Sequence, residues 1–302
     1  MIVAMELVPG SERIVAVGDT SPVEGTVYWS PKKSLWVTAM TLGAIAAPLF
    51  FSWSALALFL ATTGFTLCLG HSLGMHRRLI HSSYEAPLWL EYICVYLGTL
   101  VGMAGPIGMM RLHDFRDWAQ RQRDCHAYFC HRSGFWRDAW WQLHCELKLA
   151  RAPRFCVEKR VREDRFYRFL ERTWMWQQLP WVAVFLLLGG VGWVLWGVCM
   201  RVAVSVTGHW LVGYYAHRAG GQDWVVRGAA AQGYNIAWAG LISMGESWHN
   251  NHHAFPGSAK LGLLPGQPDP GWWVLSAWRY LGLAWNIRTP PDLPHRSELV
   301  HV

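Results

Sequence analysis

The chain reads as an all-α membrane protein, with four transmembrane helices and a cytoplasmic helical cap. Three observations predict this. Of 302 residues, 52% are hydrophobic and only 16% are charged. Two long stretches are nearly free of charge: residues 35–70 carry none, and residues 173–217 carry Arg201 alone. Tryptophan numbers 21, and its half-apolar, half-polar ring collects at membrane surfaces. A disordered or fibrous chain would be poor in such side chains.

The first stretch, 36 residues, would extend roughly 54 Å as a helix, about two crossings of a ~30 Å hydrocarbon layer. Pro48 and Ser52-Trp53-Ser54 offer its turn. The second, 45 residues, is divided by Gly189-Gly190. Residues 88–110 carry one charge, Glu91, and five Gly or Pro from Gly98 onward. They predict a helix lying in or dipping into the membrane and breaking near Gly105-Pro106. Residues 72–172 hold 17 basic and 11 acidic residues, while the two hairpin turns hold none. Lys and Arg stay on the cytoplasmic side of short connections, so both termini and this middle segment are expected there. The expected division is an N-terminal segment over 1–34, an integral membrane domain over 35–290 and a tail over 291–302. Arg201 inside a span is costly; it either serves function or snorkels to an interface. The start, MIVAMELVPGSER, lacks an apolar core behind a basic tip, so no signal peptide is expected. Seven cysteines without a C-x-x-C pair argue against a disulfide framework. The net charge of +7 suits anionic headgroups or phosphorylated ligands. Nucleic acid is not expected as a partner, because the basic residues alternate with Trp and acids beside the apolar runs.

Fourteen histidines are present and none precedes His71. Apart from His295 and His301 in the tail, they cluster where apolar blocks end: His71, His76 and His81; His113, His126, His131 and His144; His209 and His217; and His249, His252 and His253. Neutral imidazole is the commonest ligand for iron, copper and zinc. On a helix His252 and His253 lie roughly −60° and +40° from His249, so the three rings are expected to point one way. His76 and His81, roughly 140° apart on a straight helix, are expected to flank a site rather than share a face. Cys125, His126, Cys130 and His131 could make a small zinc site. The larger count of imidazoles suits two metal ions in nitrogen-rich shells. As iron, such a pair reduces dioxygen and attacks unactivated C–H bonds, for which a lipid acyl chain is the natural source at a membrane.

Here the sequence resembles the membrane-bound fatty acid desaturases, most closely the acyl-CoA, stearoyl-type branch. HRRLIH at 76–81, followed by SSYEA, resembles that family's first box, H-x-x-x-x-H. GESWHNNHHAFP at 245–256 matches its third box residue for residue, and WLVGYYAH at 210–217 is similar to the stretch that supplies a further ligand, here His217. Arg201 has a counterpart in that family's fourth span, and LGLAW at 281–285 resembles its C-terminal signature. The similarity covers roughly residues 35–290. Two departures stand out. The second box, H-x-x-H-H in the family, reads HDFRD here, so Arg116 and Asp117 replace two histidines. The family's Asn that holds an iron-bound water is Gly213.

The resemblance implies a di-iron centre, two iron ions held by His76, His81, His113, His217, His249, His252 and His253. Asp117, four residues after His113 on one helical face, is expected to complete the shell, unless it pairs with Arg116 or Arg121. His126 and His144 are weaker metal candidates. Glu246 and Asn250 are expected to hydrogen-bond ring N–H groups and orient them. His71 and His209 have no ligand counterpart. The activity implied is insertion of a double bond into a fatty acyl chain, carried as acyl-CoA or acyl-lipid. The Arg excess over 72–172 reads either as a membrane-surface belt or as recognition of a phosphorylated carrier such as coenzyme A. With no haem or iron–sulfur motif in the chain, electrons are expected from an external protein of ferredoxin or cytochrome type. The same metals support hydroxylation of a fatty acid, alkane or isoprenoid. A non-catalytic metal-binding membrane carrier would instead need ionisable residues forming a path through the spans.

Overall fold

The computed structural model describes residues 13–302; MIVAMELVPGSE, on which the signal-peptide expectation rests, lies outside the described residues. Strands β1 (Ile14–Val15) and β2 (Gly25–Trp29) lead into helix α1 (Pro31–Ala46), which starts on a proline whose missing N–H costs nothing there. A 3₁₀ turn at Ala47–Phe50 carries Pro48, and the Ser52 hydroxyl then caps α2 (Trp53–Phe65) by accepting from Ala55 N at 3.1 Å. The first hairpin thus turns where expected.

Helix α2 does not end at the first histidines. It continues without a break as a π-helix over Thr66–Ile80. This segment packs backbone to backbone on α3 (Leu88–Leu100), where a Cβ on Gly74 would meet Cys94 carbonyl carbon at 2.6 Å. Helix α3 is too short to cross a membrane. After a break at residues 101–105, α4 (Pro106–Gln120) begins on Pro106, as expected. Glu91, the lone charge of α3, is buried among Arg78 at 2.7 Å, Arg160 at 2.9 Å and the Tyr167 hydroxyl.

The chain continues with α5 (Phe135–His144), β3 (Cys145–Leu149), β4 (Arg154–Phe155), α6 (Lys159–Arg162) and α7 (Arg165–Thr173). β2 pairs antiparallel with β3 and β1 with β4, so the N-terminal segment is sewn to the stretch between α5 and α6. Helix α8 (Gln178–Val194) follows, then a π turn (Leu195–Met200) and α9 (Arg201–Ala216). Gly190, at φ 68° and ψ −163°, breaks this run. The chain doubles back there: the Phe185 ring lies 2.8 Å from where a Cβ on Gly197 would stand. Beyond lie β5 (Trp224–Val226), α10 (His249–Ala254), α11 (Pro270–Tyr280) and β6 (Leu299–His301), the last paired with β5.

Among the described residues three helical stretches are long and apolar enough to cross a membrane: Pro31–Phe50, Trp53–Ile80 and the 39-residue Gln178–Ala216. Arg201 does not snorkel. It is buried, and its guanidinium donates to the carbonyls of Gly197 and Leu100 and to Gln178 Oε1, stapling α9 to α8 and to the end of α3.

Candidate metal centre

In a π-helix the backbone N–H bonds the carbonyl five residues back, so residues five apart stack along one side. His81 N bonds His76 O at 3.0 Å in this way. His71, His76 and His81, spaced by five, therefore line one face; the rings of His76 and His81 are 4.8 Å apart. The expectation that His76 and His81 flank a site assumed an α-helical turn, and the wider π turn overrides it.

Two groups of imidazoles form. His76, His81, His113 and His252 make one, and His217, His249 and His253 the other; within each, one ligating nitrogen per ring lies within 4.8 Å of every other. Helix α10 feeds both. His249 and His253, four residues apart, face each other at 4.5 Å and join the second group, while His252 turns to His76 at 4.6 Å. The triplet therefore divides rather than pointing one way, and the two groups adjoin, with His249 and His252 rings 5.8 Å apart.

Hydrogen bonds to the far ring nitrogens set which nitrogen faces inward. Glu246 Oε2 lies 2.6 Å from His76 Nδ1, and Glu246 in turn accepts from Ser72 Oγ. His217 Nδ1 donates to Gln232 O at 3.0 Å, leaving its Nε2 lone pair inward. His249 Nε2 then lies 3.0 Å from His217 Nε2 and 3.1 Å from His253 Nε2. It has one position for a proton and two ring nitrogens in range, and only His217 Nε2 has another donor, Gln120 Nε2 at 3.0 Å; a shared cation would serve all three lone pairs. In the first group His81 Nε2 and His113 Nε2 are 3.3 Å apart, and Nδ1 of His81 and of His252 are buried without partners. Burial holds His81, His217, His249 and His252 well below the ordinary imidazole range and pushes His253 down to about 4. Neutral rings are what a metal needs. His113 differs: burial opposes its charge, but the Asp117 and Asp114 carboxylates outweigh that and raise it. These donors fit a nitrogen-bound transition metal such as iron.

Asp117 stands outside both groups, its Oδ2 3.1 Å from Arg121 Nη2. Burial opposes its ionisation, yet the charges of His113 and Arg121 keep it well below the usual carboxylate range. Arg116 turns away, to Gln142 Oε1 at 2.8 Å and to His131 Nε2. His131 is fixed from its other side by Asp138 Oδ1 at 2.8 Å, an oxygen that also accepts from Trp210 Nε1. Its Nε2 lies 3.1 Å from where a Cβ on Gly213 would stand, and its ring stacks on His217 at 5.7 Å. Small Gly213 leaves the room that this histidine takes.

Several expected residues lie elsewhere. His126 Nδ1 accepts from Tyr128 N, and His144 stacks on Trp140 with Nδ1 3.0 Å from Ser34 Oγ; neither reaches the groups. A Cys125–Cys130 disulfide removes the thiolates that a zinc site there would need. Asn250 touches no ring: its oxygen accepts from Asp223 N and Trp224 N, and its amide donates to Trp224 O and Gly233 O. His71 stacks on His76 at 6.4 Å and meets His209 at 5.1 Å, outside both groups.

Three supporting arginines carry no local signal in sequence. Arg13 donates to the carbonyls of Leu79 and Ile80, closing the π-helix, and meets Asp114 Oδ2 at 3.1 Å; Asp114 Oδ1 stands 3.4 Å from His113 Nδ1. Arg288 donates to His81 O and Ser82 O, and Arg296 to His253 O and Ala254 O. Each caps a segment that ends at or beside a histidine of these two groups.

Comparison with known proteins agrees with this geometry. Residues 31–260 match the family model described as fatty acid desaturase. An sn-1 stearoyl-lipid 9-desaturase of Anabaena variabilis is 33% identical over 84% of this chain and 92% of its own length. An acyl-CoA 5-desaturase of Anemone leveillei is 31% identical over 84% and 78%. A second sn-1 stearoyl-lipid 9-desaturase, from Synechocystis sp., is 32% identical over 84% and 79%. With imidazole groups set beside membrane-length helices and a family match over most of its length, this chain belongs to the fatty acid desaturase family.

Proposed function

We infer that the protein is an oxidoreductase that inserts a double bond into a fatty acyl chain, with two iron ions as cofactor. The observation that carries this is the pair of adjoining imidazole groups supplied in common by α10. His76, His81, His113 and His252 would hold one iron, and His217, His249 and His253 the other. Asp117, kept ionised by His113 and Arg121, would add a carboxylate ligand. Bound iron supplies what no side chain can, reduction of dioxygen and removal of hydrogen from an unactivated C–H bond.

The chain's own residues do the rest. Glu246 and Gln232 O hold the inward tautomers of His76 and His217. Asp114 braces His113, and Arg13, Arg288 and Arg296 lock the segments in place. The relatives' names supply the substrate class, an acyl group carried on a lipid or on coenzyme A. The turn at Gly190 divides the longest apolar stretch, giving four crossings, and the positive-inside rule then sets cap and termini in the cytoplasm. Electrons would come from an external ferredoxin- or cytochrome-type protein docking on that face.

The test is lipid profiling of cells that express the protein, paired with metal analysis of purified material. A new double bond and about two irons per chain are expected. Hydroxylated chains without a new double bond would assign the site to hydroxylation instead. His252→Ala should abolish turnover while the protein still inserts.

A further inference from the structure

Helix α7 carries Arg165, Arg168 and Arg172 at spacings of three and four, so the three guanidinium groups share one face. All three are exposed, and none has an ion-pair partner among the described residues. The acids that could neutralise them are occupied elsewhere. Glu171, the only acid within the helix, turns inward to accept from the N–H groups of Ile107 and Gly108 at the start of α4, both at 2.9 Å. Asp164 caps α7 itself, accepting from Phe166 N and Tyr167 N, and also accepts from the Tyr92 hydroxyl. Tyr167 and Leu170 bury the opposite face in the core. What remains outside is a purely cationic surface around a shallow cleft of about 320 Å³ lined by the three arginines, Phe169 and Thr173.

Two exposed aromatic side chains accompany the arginines: Phe169, between them, is 53% exposed, and Trp176, just past the end of the helix, is 67% exposed. The apolar run that starts at Gln178 follows directly. These rings stand directly before an apolar run of membrane-spanning length, which favours a phospholipid: its phosphate accepts bidentate bonds from guanidinium groups, while the aromatic rings enter the glycerol and upper acyl region.

We propose that the Arg165–Arg168–Arg172 face of α7 is a binding surface for the phosphate of an anionic phospholipid headgroup, anchoring the cap to the bilayer where Gln178–Ala216 enters it. The inference does not depend on the desaturase reading.

The test uses the full-length protein in nanodiscs of mixed phosphatidylglycerol and phosphatidylcholine, with retained lipid read by native mass spectrometry after transfer to detergent. The wild type should retain phosphatidylglycerol over phosphatidylcholine by on the order of ten- to a hundred-fold. The combined variant Arg165→Gln, Arg168→Gln, Arg172→Gln should lose that preference. Lys159→Gln with Arg162→Gln, nearby cations that already pair with Glu163, should keep it. A monodisperse elution profile and unchanged metal content establish that the variants are folded. Retention of the preference in the triple variant overturns the proposal. So does release of the bound lipid by free coenzyme A, which would give the cleft to a phosphorylated carrier.

Discussion

Replacing Arg13 by methionine tests whether the N-terminal segment is a structural part of the metal site. Arg13 is buried, and its guanidinium donates to Ile80 O at 2.9 Å and Leu79 O at 3.2 Å while pairing with Asp114 at 3.1 Å and Glu158 at 2.6 Å. Glu158 is half exposed and its loss matters little. Asp114 is buried, so removing its cation strands a carboxylate, at a cost of about 3–5 kcal/mol. For a chain of this size that is a fall of roughly 5–10 °C in melting temperature. Asp114→Asn removes the stranded charge, so the double variant should recover about 2 kcal/mol or more relative to Arg13→Met alone. Melting of the four members of this cycle, purified in one detergent, reads the coupling. A coupling below about 0.5 kcal/mol would refute the reasoning, since the two side chains would then act independently. Iron content should fall in the single variant, because Asp114 also braces His113.

Glu246→Gln keeps the size of the side chain but weakens its bond to His76 Nδ1, and iron affinity measured by chelator competition should drop about 10- to 100-fold. Asp117→Asn separates ligand from surface partner: as a ligand it should lower iron content and shift the Mössbauer signal, whereas Arg121→Gln should leave both largely unchanged. Arg201→Met leaves Gln178 Oε1 without its donor inside the apolar core, while the Leu100 carbonyl keeps Gln178 Nε2, and thermal unfolding should show a loss of about 1–3 kcal/mol.

The apolar architecture was legible because it is compositional. Thirty-six residues without a charge leave few alternatives to a membrane hairpin. Pro48, Gly190 and Pro106 mark breaks through backbone chemistry that each residue carries by itself. Most of the imidazole set was legible for a similar reason, since it lies in short motifs. What could not be read was long-range. Arg13, Arg288 and Arg296 reach carbonyls 66, 207 and 43 residues away. No periodicity announces such contacts. Asn250 misled because proximity to His249 and His252 in sequence says nothing about its side chain, which points to β5 and Gly233 instead. His126 and His144 misled likewise, by belonging to the right composition in the wrong part of the cap.

The π-helix explains why the first box was hardest to interpret. Angles taken at 100° per residue set His76 and His81 on different faces, and on an α-helix they would be. A fifteen-residue π segment needs compensation, because its wider turn is intrinsically rare. Close backbone packing of Gly74 on α3 supplies part of it; Arg13, closing the last carbonyls, supplies more. The same wide turn brings His71 onto the metal-facing side, next to His209, although neither ring joins a group. The register of the first box is therefore a tertiary property, imposed by what packs against residues 66–80. Widening the contact, as in Gly74→Leu, should shift the segment toward α-helical pitch and part His76 from His81. Loss of bound iron from a protein that still inserts is the expected outcome; full iron content would mean that the π pitch is intrinsic to residues 66–80.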